Sequence, residues 1–223
     1  MLGWVQLPTK WILEGGLRNF EWKTHKSNAT VALLLLMVVG HHVEQDAEGV
    51  VRLTYDDFET TLGFSRTKIS DGLELLRKLK IVEVFEGKRS VHRLCGPLSP
   101  WGKLPARPLY SRSGAELVPF KDFKLRQKAE LDALKIFLFL VARRDNDQNL
   151  CLATYDQIEK ETGVPKARIK SGLTMLYANH LVFLEPQRST AHDAAIAHAY
   201  RIAHVDPYRH AGTNDRQNLR AEV

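Results

Sequence analysis

Two short clusters of basic and hydroxyl side chains lie one hundred residues apart in this chain. Residues 66–71 read RTKISD and residues 166–171 read KARIKS. Arginine can donate two hydrogen bonds to guanine and lysine commonly contacts phosphate, so both clusters suit contact with a nucleic acid. Arginine and lysine exchange places at positions 66/166 and 68/168 but the charge is kept, which favours nucleic-acid contact over a merely solvated helix face. The candidate residues of these clusters are Arg66, Thr67, Lys68, Ser70, Lys166, Arg168, Lys170 and Ser171.

A second basic feature follows each cluster, where a turn separates two short apolar stretches. Lys88 and Arg89 lie in the first turn and Arg188 lies in the longer second one, which runs from residue 186 to about 197. Side chains at such hairpin tips can contact phosphates or enter the minor groove. A turn made soluble by its charge explains the first tip equally well. We add these three residues to the candidate DNA-binding set.

The sequence has no pattern that calls for a catalytic centre, a metal or a cofactor. Cys95 and Cys151 are far apart and form no CxxC spacing. Histidines recur every six residues from 192 to 210, a spacing that stacks on neither a helix face nor a chelating turn. Glycine-rich phosphate loops, GxSxG elbows and HExxH motifs are missing. We therefore predict a protein that is not an enzyme and that needs no cofactor.

Both clusters belong to a longer internal repeat. Residues 54–84 and 154–184 align without a gap and are identical at about a third of their positions. A preface also recurs, because WVQLP at 4–8 matches WGKLP at 101–105. Solenoid repeats have periods of roughly 20–50 residues, so a spacing of about one hundred indicates two domains of one kind.

Each copy is predicted to contain three helices followed by a β-hairpin. The first helix covers about 31–42 and, in the second copy, 131–144. The second helix begins at a capping box, Thr154-x-x-Gln157, of which Thr54-x-x-Asp57 is a weaker version. It ends at a glycine, and the third helix follows at once with one apolar face. This is the helix-turn-helix pattern, and the hairpin after it predicts a winged helix. The predicted fold class is therefore mainly α with small β-hairpins (α+β), in two tandem winged helix-turn-helix domains.

Composition and charge set the domain limits. The formal net charge is +6, and the excess lies mostly in residues 101–130, which hold seven bases and three acids. We predict a lead-in and first domain over 1–96, a basic, proline-rich extended connector over 97–128, a second domain over 129–206 and a flexible tail over 207–223. The lead-in, residues 1–28, is expected to be non-helical and to pack on the first copy. The connector bases could follow the DNA backbone or simply be solvated; they are Lys103, Arg107, Arg112, Lys121, Lys124, Arg126 and Lys128.

The longest apolar run, residues 31–39, is too short for a bilayer, which needs about 20 residues. The N-terminus also lacks the composition of a signal peptide. We therefore expect no membrane partner and a cytoplasmic, nucleoid-associated protein in a prokaryotic host.

With two helix-turn-helix units of about 100 residues and a short connector, the chain resembles the tandem winged-helix replication initiators of plasmids and mobile elements. The resemblance covers nearly the whole chain. It implies that both third helices contact DNA, at Arg66, Thr67 and Lys68 and at Lys166, Arg168 and Lys170. It also implies that one domain reads repeated origin sequences while the other can serve a homodimer.

The sequence therefore predicts specific binding of double-stranded DNA, in replication initiation or its control. A transcriptional regulator of the same architecture fits equally, and replication or transcription proteins are possible partners. Winged-helix pairs also occur in accessory subunits of chromosome-organising complexes, where they bind proteins. The nearly neutral second unit keeps this second class open.

Overall fold

The protein is a mixed α/β structure with small antiparallel sheets. The computed structural model describes residues 2–43, 49–85, 90–97, 99–185 and 198–205. Eight α-helices and eight β-strands lie in those residues. The mainly α character and the small antiparallel sheets confirm the coarse fold prediction.

The N-terminal segment contains strand β1 (Trp4–Pro8) and two single-turn helices, α1 (Lys10–Leu13) and α2 (Trp22–His25). The expectation of a non-helical lead-in was therefore wrong, because the stretches on either side of Gly15 and Gly16 are long enough for single helical turns. The first unit comes next, and its elements are α3 (Ser27–His42), β2 (Val50–Arg52), α4 (Tyr55–Leu62), α5 (Arg66–Lys78), β3 (Val82–Val84) and β4 (Val91–Leu94).

The second unit repeats this order after strand β5 (Trp101–Pro105). Its elements are α6 (Lys128–Arg143), β6 (Cys151–Ala153), α7 (Tyr155–Thr162), α8 (Lys166–Ala178), β7 (Val182–Glu185) and β8 (His198–Ile202). Each unit has one three-stranded antiparallel sheet, in the order β2-β4-β3 or β6-β8-β7. In both, the strand before the second helix pairs with the last strand of the hairpin.

The helix boundaries follow from local chemistry. Thr154 Oγ1 accepts the Gln157 N–H at 3.2 Å while Gln157 Oε1 accepts the Thr154 N–H at 2.9 Å. Thr54 and Asp57 make the same reciprocal pair, so both predicted capping boxes are confirmed. Hydrogen bonds from Thr54 also hold the pKa of Asp57 below its usual range. Each second helix ends at a glycine with φ of 70°, a left-handed conformation that side chains with a Cβ rarely adopt.

The core of each unit is built on its first helix. Nearly every side chain of α3 is buried, and α5 packs against it as α8 packs against α6. Gly172 brings α8 close to α6, because a Cβ there would lie 2.8 Å from Ile136 Cδ1 and 3.3 Å from Ala133 N. Gly72 plays the same part against Leu35 in the first unit. Gly72 and Gly172, which occupy matching positions of the repeat, are thus contact points between helices.

Segments that precede each unit pack on the other unit. The turn at Gly16–Asn19 lies against α7, and Lys135 Nζ donates to the Phe20 carbonyl at 3.1 Å. β1 and α2 of the lead-in also contact α3 of the first unit, so the lead-in packs on both copies and not on the first alone.

The connector makes the reciprocal contact with the first unit. The Leu117 N–H donates to the Thr61 carbonyl at 3.0 Å, and Tyr110 shares a 3.0 Å hydrogen bond with His41 Nδ1. Burial lowers the pKa of His41 to about 3, which keeps this contact neutral. Residues 101–125 are thus folded around apolar side chains that include Phe120, and they differ from the predicted extended connector for that reason.

The two prefaces pair with each other. β1 and β5 run antiparallel, and Gln6 lies opposite Lys103, its own counterpart in the repeat, at the centre of the pair. Trp4 faces Pro105 at one end and Pro8 faces Trp101 at the other, so the pairing is symmetric about that centre. Trp4 and Trp101 stack with ring centroids 6.1 Å apart and planes 2° apart. The first helices α3 and α6 also contact each other. Equivalent elements of the two units, β1 with β5 and α3 with α6, therefore contact each other, as expected for an approximate two-fold arrangement.

Candidate nucleic-acid interface

The third helices, α5 and α8, present the predicted clusters at their first turns. Their apolar stripes are buried, with Ile69 and Ile169 at 0 % exposure. The opposite faces are exposed and carry Thr67 and Ser70 in α5, and Lys170 and Ser171 in α8. Packing by the buried stripe therefore fixes which predicted side chains face solvent.

Arg66 and Lys166, the first basic pair, are each bound to acids of the preceding helix. Arg66 forms ion pairs with Asp56 and, at 3.1 Å, with Glu59, and these acids raise its pKa. Lys166 pairs with Asp156, and that hydrogen bond raises its pKa. Glu59 is half-buried and the other side chains of these pairs are solvent-exposed. Their charge is locally compensated but still accessible.

The second basic pair, Lys68 and Arg168, points back to the first helix of its own unit. Lys68 Nζ donates to Ser27 Oγ at 2.8 Å and to Asn28 Oδ1 at 2.9 Å. Arg168 Nε lies 3.1 Å from a carboxylate oxygen of Asp132, whose side chain is 5 % exposed. The charge conserved at these positions therefore has an intramolecular use, which the sequence did not reveal.

The two exposed helix faces differ in charge. α5 carries Asp71 and Glu74, and Glu74 binds Arg77 at 2.7 Å and Lys78 at 3.7 Å. α8 contains no acidic residue, and its exposed face continues from Lys170 and Ser171 to Thr174. Of the two, α8 offers the surface with less repulsion for a polyanion.

An open groove lies beside α5 in the first unit. It runs between the start of α5 and the sheet, and its walls include Thr67, Asp71, Arg52 and Phe85. Arg52 is exposed, and the Phe85 ring lies 5.0 Å from the Arg93 guanidinium. The groove is thus mixed in charge.

The outer faces of the two small sheets also differ. The first unit places Arg52 and Glu83 outward, and Glu83 pairs with Arg93 at 3.7 Å. The matching positions of the second unit are Leu152 and Phe183, which are 55 % and 51 % exposed. Sequence reasoning missed this apolar face, although the substitution of leucine for arginine within the repeat was a usable signal.

Several predicted connector bases are engaged in the fold. Lys103 donates to the Asn146 carbonyl at 3.0 Å and lies over the Trp4 ring. Arg107 donates to two backbone carbonyls of its own loop, at Ser111 and Arg112. Lys121 forms an ion pair with Glu116. These three therefore have structural partners.

Lys88, Arg89 and Arg188, the predicted hairpin-tip residues, lie outside the described residues. Within the described ranges, no group of three or more His, Cys, Asp or Glu side chains is placed to hold a metal ion. Over the same residues, no helix is long and apolar enough to span a bilayer.

Comparison with protein-family models, with curated proteins and with solved structures gives no match for this chain.

Proposed function

We propose that the chain binds double-stranded DNA sequence-specifically through two winged-helix units, in the replication initiation or control of a plasmid or mobile element. The exposed face of α8 carries this proposal, because it combines Lys170, Ser171 and Thr174 with no carboxylate. A helix that enters the major groove needs exposed hydrogen-bonding side chains and little negative charge. A transcriptional regulator would use the same surface.

The ion pairs of Arg66 and Lys166 do not oppose this function. Exposed ion pairs contribute little to stability, so a phosphate can replace the acidic partner at low cost. Lys68 and Arg168 have a different role in this proposal. They orient the third helix on the first and leave base contacts to Thr67, Ser70, Lys170 and Ser171.

The approximate two-fold arrangement adds a constraint on the DNA. Two helices related by a two-fold axis meet a duplex in opposite orientations, as in dimeric helix-turn-helix proteins. The proposed target thus has two half-sites in inverted orientation. Because α5 and α8 expose different residues, the half-sites are expected to differ in sequence.

Selection of bound duplexes from a random pool tests this function. We expect enrichment of two unequal half-sites, since Lys170 and Ser171 face one of them. Lys170→Ala with Ser171→Ala should lower affinity for the selected site about tenfold, by losing contacts worth about 1–3 kcal/mol. Lys10→Ala, at an exposed lysine paired with Glu14, is the control and should bind normally. Failure to enrich any sequence would contradict the proposal.

The exposed apolar face at Leu152 and Phe183 favours a second candidate, a protein-interaction subunit of a chromosome-organising complex. Exposed apolar patches commonly mark protein contacts. In that case the random pool would give no enrichment, and Phe183→Ser would abolish partner binding while leaving the fold intact.

A further inference from the structure

Three exposed bases alternate along the chain just before α6. Lys124, Arg126 and Lys128 are all solvent-exposed and have no ion pair within the described residues. The intervening Leu125 is half-buried, so the segment is held down while its bases point away. Lys103 and Arg107 instead donate to backbone carbonyls, and Lys121 pairs with Glu116.

A buried acid holds this segment in place. The Lys124 N–H donates to Glu130 Oε1 at 2.8 Å, and Glu130 is 4 % exposed. The hydrogen bond ties the backbone of the segment to the first turn of α6. The three bases therefore start from a fixed backbone, which lowers the entropic cost of binding a ligand.

The C-terminal end of this segment lies near the start of α8, while Lys124 and Leu125 line a cleft with residues 60–64 of the first unit. Lys128 and Asp132 are four residues apart on α6 and so share a helix face. Asp132 is the residue that pairs with Arg168 of α8. Lys128 thus lies about 6 Å along α6 from the residue that pairs with Arg168, slightly more than one helical turn.

The first unit provides an internal comparison. Aligning the residues that precede α3 and α6 places Lys23 opposite Lys124, His25 opposite Arg126 and Ser27 opposite Lys128. Of these three residues in the first unit, only Lys23 has a permanent positive charge. The second unit has the stronger cationic segment beside the helix that has no acids.

We infer that Lys124, Arg126 and Lys128 bind phosphates of the DNA backbone that flank the groove entered by α8. This inference rests on the proposed function and assigns these residues to affinity and orientation, not to base recognition. Lysine and arginine contacts to phosphate position a protein on the duplex without reading its sequence.

The salt dependence of binding tests the inference. Each phosphate contact contributes about 0.9 to the slope of log affinity against log salt on B-DNA. Lys124→Gln with Arg126→Gln and Lys128→Gln should reduce the slope by about 2–3 and weaken binding of selected and unrelated duplexes by the same factor. The control removes three exposed charges outside the connector, with Lys10→Gln, Lys78→Gln and Lys80→Gln, and should keep most of the wild-type slope.

Two outcomes overturn the inference while leaving DNA binding in place: an unchanged slope in the first variant, or an equal loss in the control. Absence of salt-sensitive binding by the wild type instead overturns the proposed function. Exchange of lysine and arginine at the three positions, which keeps the charge, should preserve the slope. Circular dichroism confirms that each variant is folded.

Discussion

At the residue scale, the basic side chains that the two repeats share at positions 66/166 and 68/168 have partners within the protein. Arg66 and Lys166 bind acids of the preceding helix, while Lys68 and Arg168 bind the first helix. A charge that is retained through a repeat can therefore reflect a shared scaffold as well as a shared ligand. The exposed residues between them, Lys170 foremost, are better candidates for contact with DNA.

Lys135 is the buried base with the clearest consequence for stability. It is 4 % exposed, and burial lowers its pKa to about 8. Between pH 8 and the ordinary lysine value of about 10.4, the folded state binds fewer protons than the unfolded state. The free energy of unfolding should therefore rise with pH across that window, by up to about 3 kcal/mol.

Urea unfolding at pH 7.5 and 9.5 measures this rise. Lys135→Met should remove it, because no group is then left to lose a proton at that position. Lys128→Met, at an exposed lysine on the same helix, should retain the wild-type rise. Titration of tyrosines and cysteines is common to all three proteins and cancels in the comparison. An identical rise in Lys135→Met would contradict this account.

At the scale of the elements, the third helix of each unit packs closely on the first helix at one glycine. Gly72 and Gly172 lie where the third helix meets the first, at matching positions of the repeat. The sequence indicated the helices well, because capping boxes and apolar stripes are local signals. It did not indicate which glycine is a contact point, since that depends on a second helix.

Gly172→Ala is expected to destabilise the protein by about 1–3 kcal/mol despite the higher helix propensity of alanine. The added Cβ would lie 2.8 Å from Ile136 Cδ1 and 3.3 Å from Ala133 N, so α8 must move outward. Gly3→Ala, where nothing lies within 4 Å, is the control and should be close to neutral. Chemical denaturation measures both, and a neutral or stabilising Gly172→Ala would refute the packing argument.

For the whole molecule, the exchange of lead-in segments joins the two units. The lead-in buries Leu17 and Phe20 near the second unit, and the connector buries Leu117 and Phe120 near the first. Part of the apolar surface of each unit is therefore covered by a segment that precedes the other unit. The two repeats are expected to unfold together in one cooperative transition, although each has a helical core of its own.

Two fragments of similar length separate this arrangement from independent domains. Residues 27–127 contain the first unit with the connector that packs on it, while residues 1–99 contain it with the lead-in, which divides its contacts between the two units. We expect 27–127 to have the higher melting temperature, because more of its apolar side chains keep their native contacts. Thermal unfolding by circular dichroism compares them. Greater stability of 1–99 would show that the exchange does not matter.

The sequence by itself determined the order of helices and strands, the caps and the repeat, because these depend on residues a few positions apart. Only the tertiary structure decided the partners of Arg168 and Lys68, the folding of residues 101–125 and the crossing of the lead-in to the second unit. Those features depend on which distant surfaces meet, and residues 115 positions apart, such as Phe20 and Lys135, leave no periodic signal. Free exposed bases could be distinguished from engaged ones only after that packing was known.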